Sequence, residues 1–499
     1  MNLDASLAGL AAAFSWQMLV TVFVGVVIGV IVGALPGIGP VVLIALMLPF
    51  LITFDPTTAI VLCACIYCAD AYGGAITAIL INTPGTPSAA ATTFDGYPLA
   101  QQGRAAEALG VAAVASTLGG LFSVVVLLLA APMLARVAYY FGPPEYLALT
   151  VFGLTMIASV SLASPLRGAI AGLFGVLVST VGTDFSSGTE RFTFGIVELI
   201  EGIEFAPMMI GLFAGSELLY QATQRDTPHL ITDTSVKLPS RKTWREVLPT
   251  IGGASIIGTA IGILPAAGST IASFVAYSEA KRWSKNSARF GTGDIRGVAA
   301  PEAANNAAAG GALVPTLALG IPGSGVAAII LGTMIMVGLR PGPTLFQDQP
   351  QFLWTLFAAL IVANIVFLWL GLVGARIFGH IALVPAYYLW PTIFVLCVIG
   401  SYSLGTSWMD VWLMLIFSVV GYLMRAMNYP LAAVAMGLVL GDLFEESLLQ
   451  TLILFEGDLT QLSNRPIAIA FLVIAFVALA WSVRGMIGYR AAAPSANES

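Results

Sequence analysis

One short stretch of this sequence combines residue types that bind anions with residue types that break helices. In INTPGTPSAA, residues 81–90, two prolines and Gly85 interrupt an apolar run that would otherwise continue as one helix. A helix that starts after such a break presents unpaired N–H groups and partial positive charge. With Thr86 or Ser88 as its N-cap, this helix start could bind a carboxylate without any arginine or lysine.

The helix that ends at the same break offers the opposite chemistry. Its last carbonyls have no helical partners, and together with Asn82 and Thr83 they could hold a cation or a proton-bearing group. Proline and glycine also produce simple packing kinks in membrane helices. Four interruptions in duplicated order, two hairpin tips and two helix breaks described below, favour a binding site over a kink.

A second polar group lies in APEAANNAAAGGALVP, residues 300–315. Asn305 and Asn306 stand among small residues, where a ligand or another backbone could approach closely, although helix packing explains the alanines equally well. Glu302 could bind an ion or a proton, or it could pair with the basic loop before it. Because intramembrane carboxylates are functional by default, Asp70 joins Glu302 as an ion-coupling candidate.

The composition indicates the environment of these residues. Of 499 residues, 58% are hydrophobic and 9% are charged, and the mean hydropathy is +0.93. A soluble domain has about 25% charged residues, so we predict an all-α polytopic membrane protein in a lipid bilayer. Apolar stretches long enough to cross one are residues 16–34, 56–81, 105–131, 145–163, 202–219, 352–378, 381–399 and 466–483.

The sequence also contains an internal repeat. GALPGIGP (33–40) matches GILPAAGS (262–269), and AILINTPGTPSAA (78–90) matches TLALGIPGSGVAA (316–328), with Pro84 on Pro322 and Gly85 on Gly323. Upstream, Gly73 matches Gly311 at the same offset. Two matches in the same order in each half indicate a duplication.

The basic residues indicate how the two copies are oriented. Half of the 20 lysines and arginines lie between residues 225 and 296, in two clusters on either side of residues 246–280. Cytoplasmic loops are enriched in such residues, and a segment this short fits a re-entrant helical hairpin better than two complete crossings. The first copy has no basic flanks. We therefore predict two inverted-topology repeats, each with a re-entrant helical hairpin and a broken transmembrane helix, as in many secondary transporters.

This duplication sets the predicted domain boundaries and the predicted site. The first membrane repeat covers residues 1–224, a cytoplasmic linker 225–245, the second repeat 246–487, and a polar tail 488–499. In such folds the substrate binds where the repeats meet near the midplane. The predicted substrate-binding residues are Gly37, Gly39, Asn82, Thr83, Gly85, Thr86, Gly268, Ser269, Thr270, Asn305, Asn306, Gly323 and Ser324.

Two other function classes compete with a carrier. An intramembrane enzyme would need a Ser–His, Cys–His or paired-Asp arrangement, but the sequence has two histidines, neither near a break. Cys63, Cys65 and Cys68 are spaced like metal ligands, yet no second CxxC or nearby histidine accompanies them, which favours packing. No nucleotide motif is present, and neither a cofactor, a metal nor nucleic acid is expected. A passive anion channel would have little need for paired breaks.

Several motifs resemble one family over nearly the whole chain. LPGIGP, AILINTPGTPSAAATTFDGYPLAQQG, GVAAPEAANNAAAGGALVPTLALGIPGSG and GLRPGPTLF resemble the large membrane subunit of tripartite tricarboxylate transporters, the TctA family. The resemblance implies a permease in the bacterial inner membrane that imports citrate or a related carboxylate, driven by a Na⁺ or H⁺ gradient. It also implies a periplasmic solute-binding protein and a small four-helix membrane subunit as partners. The second tip reads LPAAGS where the first reads LPGIGP, so equal binding at both is not expected.

Overall fold

The computed structural model describes residues 3–35, 38–160, 165–184, 187–223, 236, 238–381 and 386–492. In these ranges the chain is almost entirely helical, with one two-stranded antiparallel ribbon that pairs Gly182 with Arg191. Six of the described helices are long and apolar enough to cross a membrane, and shorter apolar helices accompany them. The prediction of an all-α polytopic membrane protein is confirmed. The inversion of one copy relative to the other stays a prediction.

The chain divides into two compact units. The first unit comprises residues 1–139 and 206–422, and the second comprises residues 140–205 and 423–499. This division follows packing, whereas the predicted boundaries follow the duplication. The first unit holds both hairpin tips and both helix breaks. Most of the predicted linker lies outside the described residues.

The first unit contains the helices that carry the duplicated motifs, named copy one and copy two below. The predicted repeats, residues 1–224 and 246–487, extend beyond these helices into the second unit. Copy one comprises α1 (Leu3–Ala13), α2 (Trp16–Gly33), α3 (Pro40–Leu51), α4 (Pro56–Ile81), α5 (Ala90–Gln101) and α6 (Ala105–Ala138). The helices of the other unit, α7 (Pro143–Val160) and α8 (Pro165–Ser179), follow in sequence, and then come α9 (Phe205–Met209) and α10 (Ser216–Gln221). Copy two comprises α11 (Arg241–Ile263), α12 (Gly268–Trp283), α13 (Arg296–Leu319), α14 (Gly325–Met336), α15 (Leu345–Asp348), α16 (Pro350–Ile381), α17 (Ala386–Gly405) and α18 (Trp408–Ala426).

Local sequence explains where several of these helices begin. The Asp55 side chain accepts a hydrogen bond from the Thr58 N–H at 3.0 Å, and Pro56 occupies the first turn of α4. Ser240 caps α11 in the same way, accepting from the Thr243 N–H at 3.2 Å. Each cap pairs one of the N–H groups that a helix start leaves without a partner.

Glycines let the helices of each copy approach closely at matching positions. On α2, a Cβ at Gly29 would lie 2.7 Å from the Ile66 carbonyl oxygen, and one at Gly33 would overlap the Asp70 carbonyl. On α11, the matching glycines lie against the matching carbonyls of α13, Gly258 against Ala304 and Gly262 against Ala308. The α2–α4 and α11–α13 packings are therefore equivalent, and both depend on small residues as membrane helix pairs often do.

Four of the predicted spans, residues 16–34, 56–81, 105–131 and 352–378, coincide with candidate membrane-crossing helices. The spans predicted at 145–163 and 381–399 include residues outside the described ranges, and residues 466–480 form a shorter apolar helix. Three differences from the prediction stand out. Residues 202–219 do not form one α-helix, because a π-helical segment, Ile210–Gly215, joins α9 to α10. In this segment Gly211 lies against the Met414 carbonyl of α18, and π-helical segments of this kind often mark functional positions. Helix α18 was not predicted as a span, although it is long and apolar enough. Helix α11 is also long enough to cross completely, and it packs on α12 as a helical hairpin.

The second unit comprises α7, α8, α19 (Leu431–Leu454) and α20 (Pro466–Ala492). Helices α8 and α19 touch through their glycines, because a Cβ on Gly437 would overlap the Gly172 carbonyl. The Arg191 guanidinium makes a two-point hydrogen bond to the Glu445 carboxylate, at 2.6 and 3.1 Å, which fixes the ribbon on α19.

Candidate functional site

The first break lies between α4 and α5. Helix α4 ends at Ile81, and Asn82 takes a left-handed conformation with φ 55° and ψ 22°. The Gly85 N–H then donates to the Gly74 carbonyl at 3.3 Å, so the chain folds back on the helix it has just left. Asn82 is exposed and Thr83 is half-buried, with its hydroxyl 3.3 Å from the Ile81 carbonyl.

The expected N-cap at this break is not formed by a side chain. A single 3₁₀ turn, Pro87–Ala89, precedes α5, and no side chain caps either the turn or the helix. The buried hydroxyls of Thr86 and Ser88 lie 3.0 Å apart and pair with each other instead. The expectation that one of them caps α5 is wrong, because Pro87 starts the tight turn before the helix.

The second break lies between α13 and α14. Helix α13 ends at Leu319, and Gly320 takes the left-handed conformation, with φ 70°, at the position that Asn82 holds in copy one. Here the N-cap is formed, because the Ser324 hydroxyl accepts from the Ala327 N–H at 3.2 Å. The two breaks share a backbone geometry and differ in how the following helix starts.

A hydrogen bond links α4 of copy one to the second break. The buried Tyr67 hydroxyl lies 3.0 Å from the Ser324 hydroxyl. Tyr67 was not among the predicted site residues. The sequence did hold a signal for it, since Tyr67 precedes Pro84 by as many residues as Asn305 precedes Pro322.

Asn305 and Asn306 are buried on α13 without full hydrogen bonding. Both amide atoms of Asn305 and the amide oxygen of Asn306 have no hydrogen-bond partner within the described part of the chain. The Asn306 amide nitrogen lies 3.5 Å from the Glu302 carbonyl, at the limit for a hydrogen bond. Buried polar groups are normally paired, so these amides have free capacity for a ligand. An amide donor suits a carboxylate.

The glycines of the breaks and those of the tips have opposite surroundings. At Gly85 a Cβ would overlap the Gly33 carbonyl oxygen and would lie 2.8 Å from the Thr77 hydroxyl. At Gly323 a Cβ would lie 2.6 Å from Ala312 Cα and 2.8 Å from the Gly262 carbonyl oxygen. These glycines therefore let each break pack closely against its own hairpin. Their part in substrate binding stays a prediction.

The tip glycines are open. At Gly39, the residue before α3, and at Gly268, which starts α12 with φ 65°, a Cβ would meet no described atom within 4 Å. Ser269 and Thr270 are half-buried in the first turn of α12. Gly37, the remaining predicted tip residue, lies outside the described residues. A side chain would thus have room at the tip glycines Gly39 and Gly268, whereas it would have none at the break glycines Gly85 and Gly323.

The packing connects each hairpin to the break of the other copy. Helix α12 contacts the 3₁₀ turn of the first break and α5, and α3 contacts α14 after the second break. Helix α13 contacts the same 3₁₀ turn as well as α4. The interruptions predicted from the sequence are therefore brought together in two crossed pairs within one compact unit.

The two candidate carboxyls differ in their partners. Asp70, on α4, is buried, and its Oδ1 atom has no partner in the described ranges. Glu302, on α13, is fully buried and accepts from two hydroxyls, Thr92 on α5 and Ser116 on α6. It makes no ion pair with a described residue of the basic loop. The sequence did not single out Thr92 or Ser116, since lone hydroxyls in apolar helices are common.

A further carboxylate joins α5 of copy one to copy two. Buried Asp95 accepts from the backbone N–H groups of Gly291, Gly293 and Asp294 at 2.8–2.9 Å, and from the Tyr277 hydroxyl at 2.8 Å. These groups form a nest that holds the loop before α13. Asp95 is not among the residues predicted from the sequence. An acidic residue inside TTFDGYP was its signal.

Asp294 in the same loop is paired with Arg296. The two side chains share hydrogen bonds at 2.9 and 2.6 Å. Burial alone would raise the pKa of Asp294, but the hydrogen bonds and positive charge of Arg296 outweigh burial and hold that pKa below its ordinary value.

Comparison with known proteins identifies the family of this chain. Residues 19–436 match the model of the family described as "Tripartite tricarboxylate transporter TctA family". A protein of Agrobacterium vitis, "Uncharacterized 52.8 kDa protein in TAR-I ttuC' 3'region", is 38% identical over 476 residues, covering 95% of each chain. Another from that organism, "Uncharacterized protein in TAR-II ttuC' 3'region", is 37% identical over 220 residues, 44% of this chain and 91% of the relative.

No solved structure matches the chain. The family match covers both hairpin tips and both helix breaks, and the first relative extends along nearly the full length. The chain is thus a multi-pass membrane protein of a transport system, and it belongs to the tripartite tricarboxylate transporter TctA family.

Proposed function

We propose that this protein is the carboxylate-translocating subunit of an importer in the bacterial inner membrane. A periplasmic solute-binding protein delivers the substrate, and a small four-helix membrane subunit accompanies the permease. A sodium or proton gradient drives uptake. The family supports the tripartite organisation. The substrate is citrate or a related organic acid.

One observation carries the proposed site. The buried Asn305 amide has no partner among the described residues and sits on α13, which contacts the first break. Its counterpart in copy one, Tyr67, contacts the second break. A neutral amide can hold a carboxylate by hydrogen bonds and release it again, whereas a buried arginine would hold a multiply charged anion too tightly. We therefore place the substrate between the open tips and these two helices.

The remaining predicted residues divide by surroundings. Predicted residues that have open space around them, or that carry hydrogen-bonding groups near the breaks and tips, are proposed to contact the substrate directly. They are Gly39, Asn82, Thr83, Thr86, Gly268, Ser269, Thr270, Asn305, Asn306 and Ser324. Gly37, which lies outside the described residues, is proposed with them from its place in the sequence. Gly85 and Gly323 are proposed to fix the geometry of the breaks. Sliding of one part of the protein past another, in an elevator-type motion, would expose the site to each side in turn.

The experiment is uptake into liposomes with the purified permease, its small subunit and its binding protein. Accumulation of a carboxylate that saturates and collapses when the ion gradient is removed supports a carrier. Flux that follows the membrane voltage linearly, without saturation, would instead identify a passive anion channel.

A variant of the same protein tests the proposed site. Asn305→Ala should raise the substrate concentration for half-maximal uptake about tenfold, the effect of about 1.4 kcal/mol. The matched control is Thr316→Ser on the same helix, because serine keeps the hydroxyl that donates to the Ala312 carbonyl. This control should transport as wild type does. Wild-type affinity in Asn305→Ala would place the substrate elsewhere.

The proposed orientation has a separate test. Both basic clusters are proposed to face the cytoplasm. Single cysteines at Lys237 and Lys285, in a background without native cysteines, should react with a membrane-impermeant thiol reagent only from the cytoplasmic side. Labelling of the two positions from opposite sides would contradict the hairpin between them.

A further inference from the structure

Glu302 is the centre of a buried polar cluster formed by three helices. Its carboxyl group, on α13, is fully buried. The Thr92 hydroxyl of α5 lies 2.5 Å from Oε1, and the Ser116 hydroxyl of α6 lies 3.0 Å from Oε2. Each carboxyl oxygen therefore has one hydroxyl partner.

Within the described ranges, no positive charge balances this carboxyl. Among the described residues, no lysine, arginine or histidine forms an ion pair with Glu302. Charged groups elsewhere on α5 and α13 are already occupied, since Asp95 is held by backbone N–H groups and Arg296 pairs with Asp294. A buried, unbalanced carboxylate is costly. The packed state of the protein therefore favours a carboxyl group that carries a proton.

Several other titratable groups lie on the helices around Glu302. On α4, the buried Tyr72 hydroxyl donates to the Gly371 carbonyl at 3.2 Å. Asp70 lies on the same helix. The charged residues of α6, α11 and α12 stand toward the ends of those helices, at Glu107, Arg136, Arg241, Lys242, Arg245, Glu246, Glu279, Lys281 and Arg282.

Position links this carboxyl to the proposed substrate site. Glu302 precedes Asn305 by three residues on α13, so the two side chains lie on one face of the helix about one turn apart. Thr92 belongs to α5, the helix that follows the first break. A change in the protonation of Glu302 would therefore alter the surroundings of both Asn305 and the first break, which we propose to hold the substrate.

We infer that Glu302 carries the proton that is coupled to carboxylate uptake, with Thr92 and Ser116 as the hydroxyls that hold it. This inference rests on the proposed function and commits it to a proton. The proton binds from water on the side where the site opens, travels on the carboxyl group while the site is closed, and leaves to water on the other side. With the carboxyl ionised, both hydroxyls donate to it. When it is protonated, its O–H donates to one of them.

The test uses the same liposomes, loaded with a pH-sensitive dye and free of sodium. For wild type, a proton gradient should drive carboxylate accumulation, and substrate should bring protons with it. Glu302→Gln keeps the shape and cannot release a proton. We expect it to lose gradient-driven accumulation by at least about tenfold and to lose proton movement, while exchange of internal for external substrate persists. The matched control is Glu217→Gln, which removes another buried carboxyl, on α10, and should keep proton coupling.

A second variant separates coupling from folding. Thr92→Ala with Ser116→Ala leaves the carboxyl in place but removes two donors to its ionised form. We expect the pH for half-maximal uptake to move up by about one unit, because each such hydrogen bond favours the ionised state. A purely structural cluster would lower the amount of folded protein without moving this pH.

Three results would overturn the inference. They are proton-coupled accumulation by Glu302→Gln, an unchanged pH profile in the double variant, and wild-type uptake on a sodium gradient with no proton movement. The last of these leaves the proposed function standing. Absence of any gradient-driven uptake by wild type would instead contradict the proposed function itself.

Discussion

The two breaks begin alike and continue differently. Each leaves its helix through a left-handed residue, Asn82 in copy one and Gly320 in copy two. The second break then starts α14 with a serine cap, whereas the first passes through a 3₁₀ turn and leaves α5 without a side-chain cap. Duplicated backbone geometry has thus been kept while the polar groups have diverged. Copy one retains uncapped N–H groups, which suit an anion.

The largest effect is expected where the two breaks agree. Gly85→Val and Gly323→Val should both prevent stable folding, because a side chain would overlap the backbone of the preceding hairpin at either position. The cost should be about 3 kcal/mol or more at each site. Thermal unfolding of the purified variants in detergent measures it.

The control for these variants is Gly39→Ala, since the tip has open space around that position. It should fold as wild type does and change uptake alone. Normal stability of Gly85→Val would mean that the breaks are not seated as described.

The nest of backbone N–H groups around Asp95, which joins α5 to the loop before α13, gives a second comparison. Asp95→Asn keeps the size of the side chain but removes the charge that accepts three backbone N–H groups. Hydrogen bonds to a charged group contribute about 1.5–3 kcal/mol each, and the amide keeps part of this. A fall of about 2 kcal/mol in the free energy of unfolding is expected. Thr93→Ser, on the same helix, serves as the control.

A smaller effect should separate the copies by their polar residues. Tyr67→Phe removes the hydroxyl that contacts Ser324, whose own cap on α14 remains. The loss of one hydrogen bond, about 1 kcal/mol, should weaken carboxylate binding about fivefold with little change in folding. Equal loss of stability and binding would make Tyr67 a packing residue.

Acid should weaken the Asp294–Arg296 ion pair beside this nest. The pKa of Asp294 is held below its ordinary value, so its contribution to stability is complete above the unfolded pKa of about 4 and disappears as pH falls through the folded value. Unfolding temperatures at pH 7 and pH 3 should differ less for Asp294→Asn than for wild type. An equal pH dependence would show that this pair contributes nothing measurable.

The smallest effect is expected from exchanging the left-handed residues. Asn82→Gly places the copy-two residue in copy one at a position where glycine is equally at home, so stability should change by less than about 1 kcal/mol. If the exposed Asn82 amide contacts the substrate, half-maximal uptake will need more carboxylate. Unchanged uptake would remove Asn82 from the site.

The breaks could be predicted from the sequence, because proline and glycine act locally and the duplication repeats their order. Contacts between residues far apart in the sequence could not be predicted in this way. The partners of four side chains lie more than 180 residues away in the sequence, and no local pattern predicts which residues they are. These side chains are Tyr67, Asp95, Thr92 and Ser116. The packing role of Gly85 could not be predicted either, because the carbonyl group that it faces belongs to Gly33, far from it in the sequence.

Helix α13 has a consequence for how the protein enters the membrane. From Gly297 to Leu319 every residue of this helix is buried, yet the helix is too polar to count among the six candidate spans of the described chain. Its asparagines, its glutamate and its glycines make spontaneous partition into lipid weak. It must therefore enter a site that α6 and α11, which contact it and are synthesised earlier, have already prepared. During biogenesis α13 is therefore expected to insert only after α6 and α11, against which it packs.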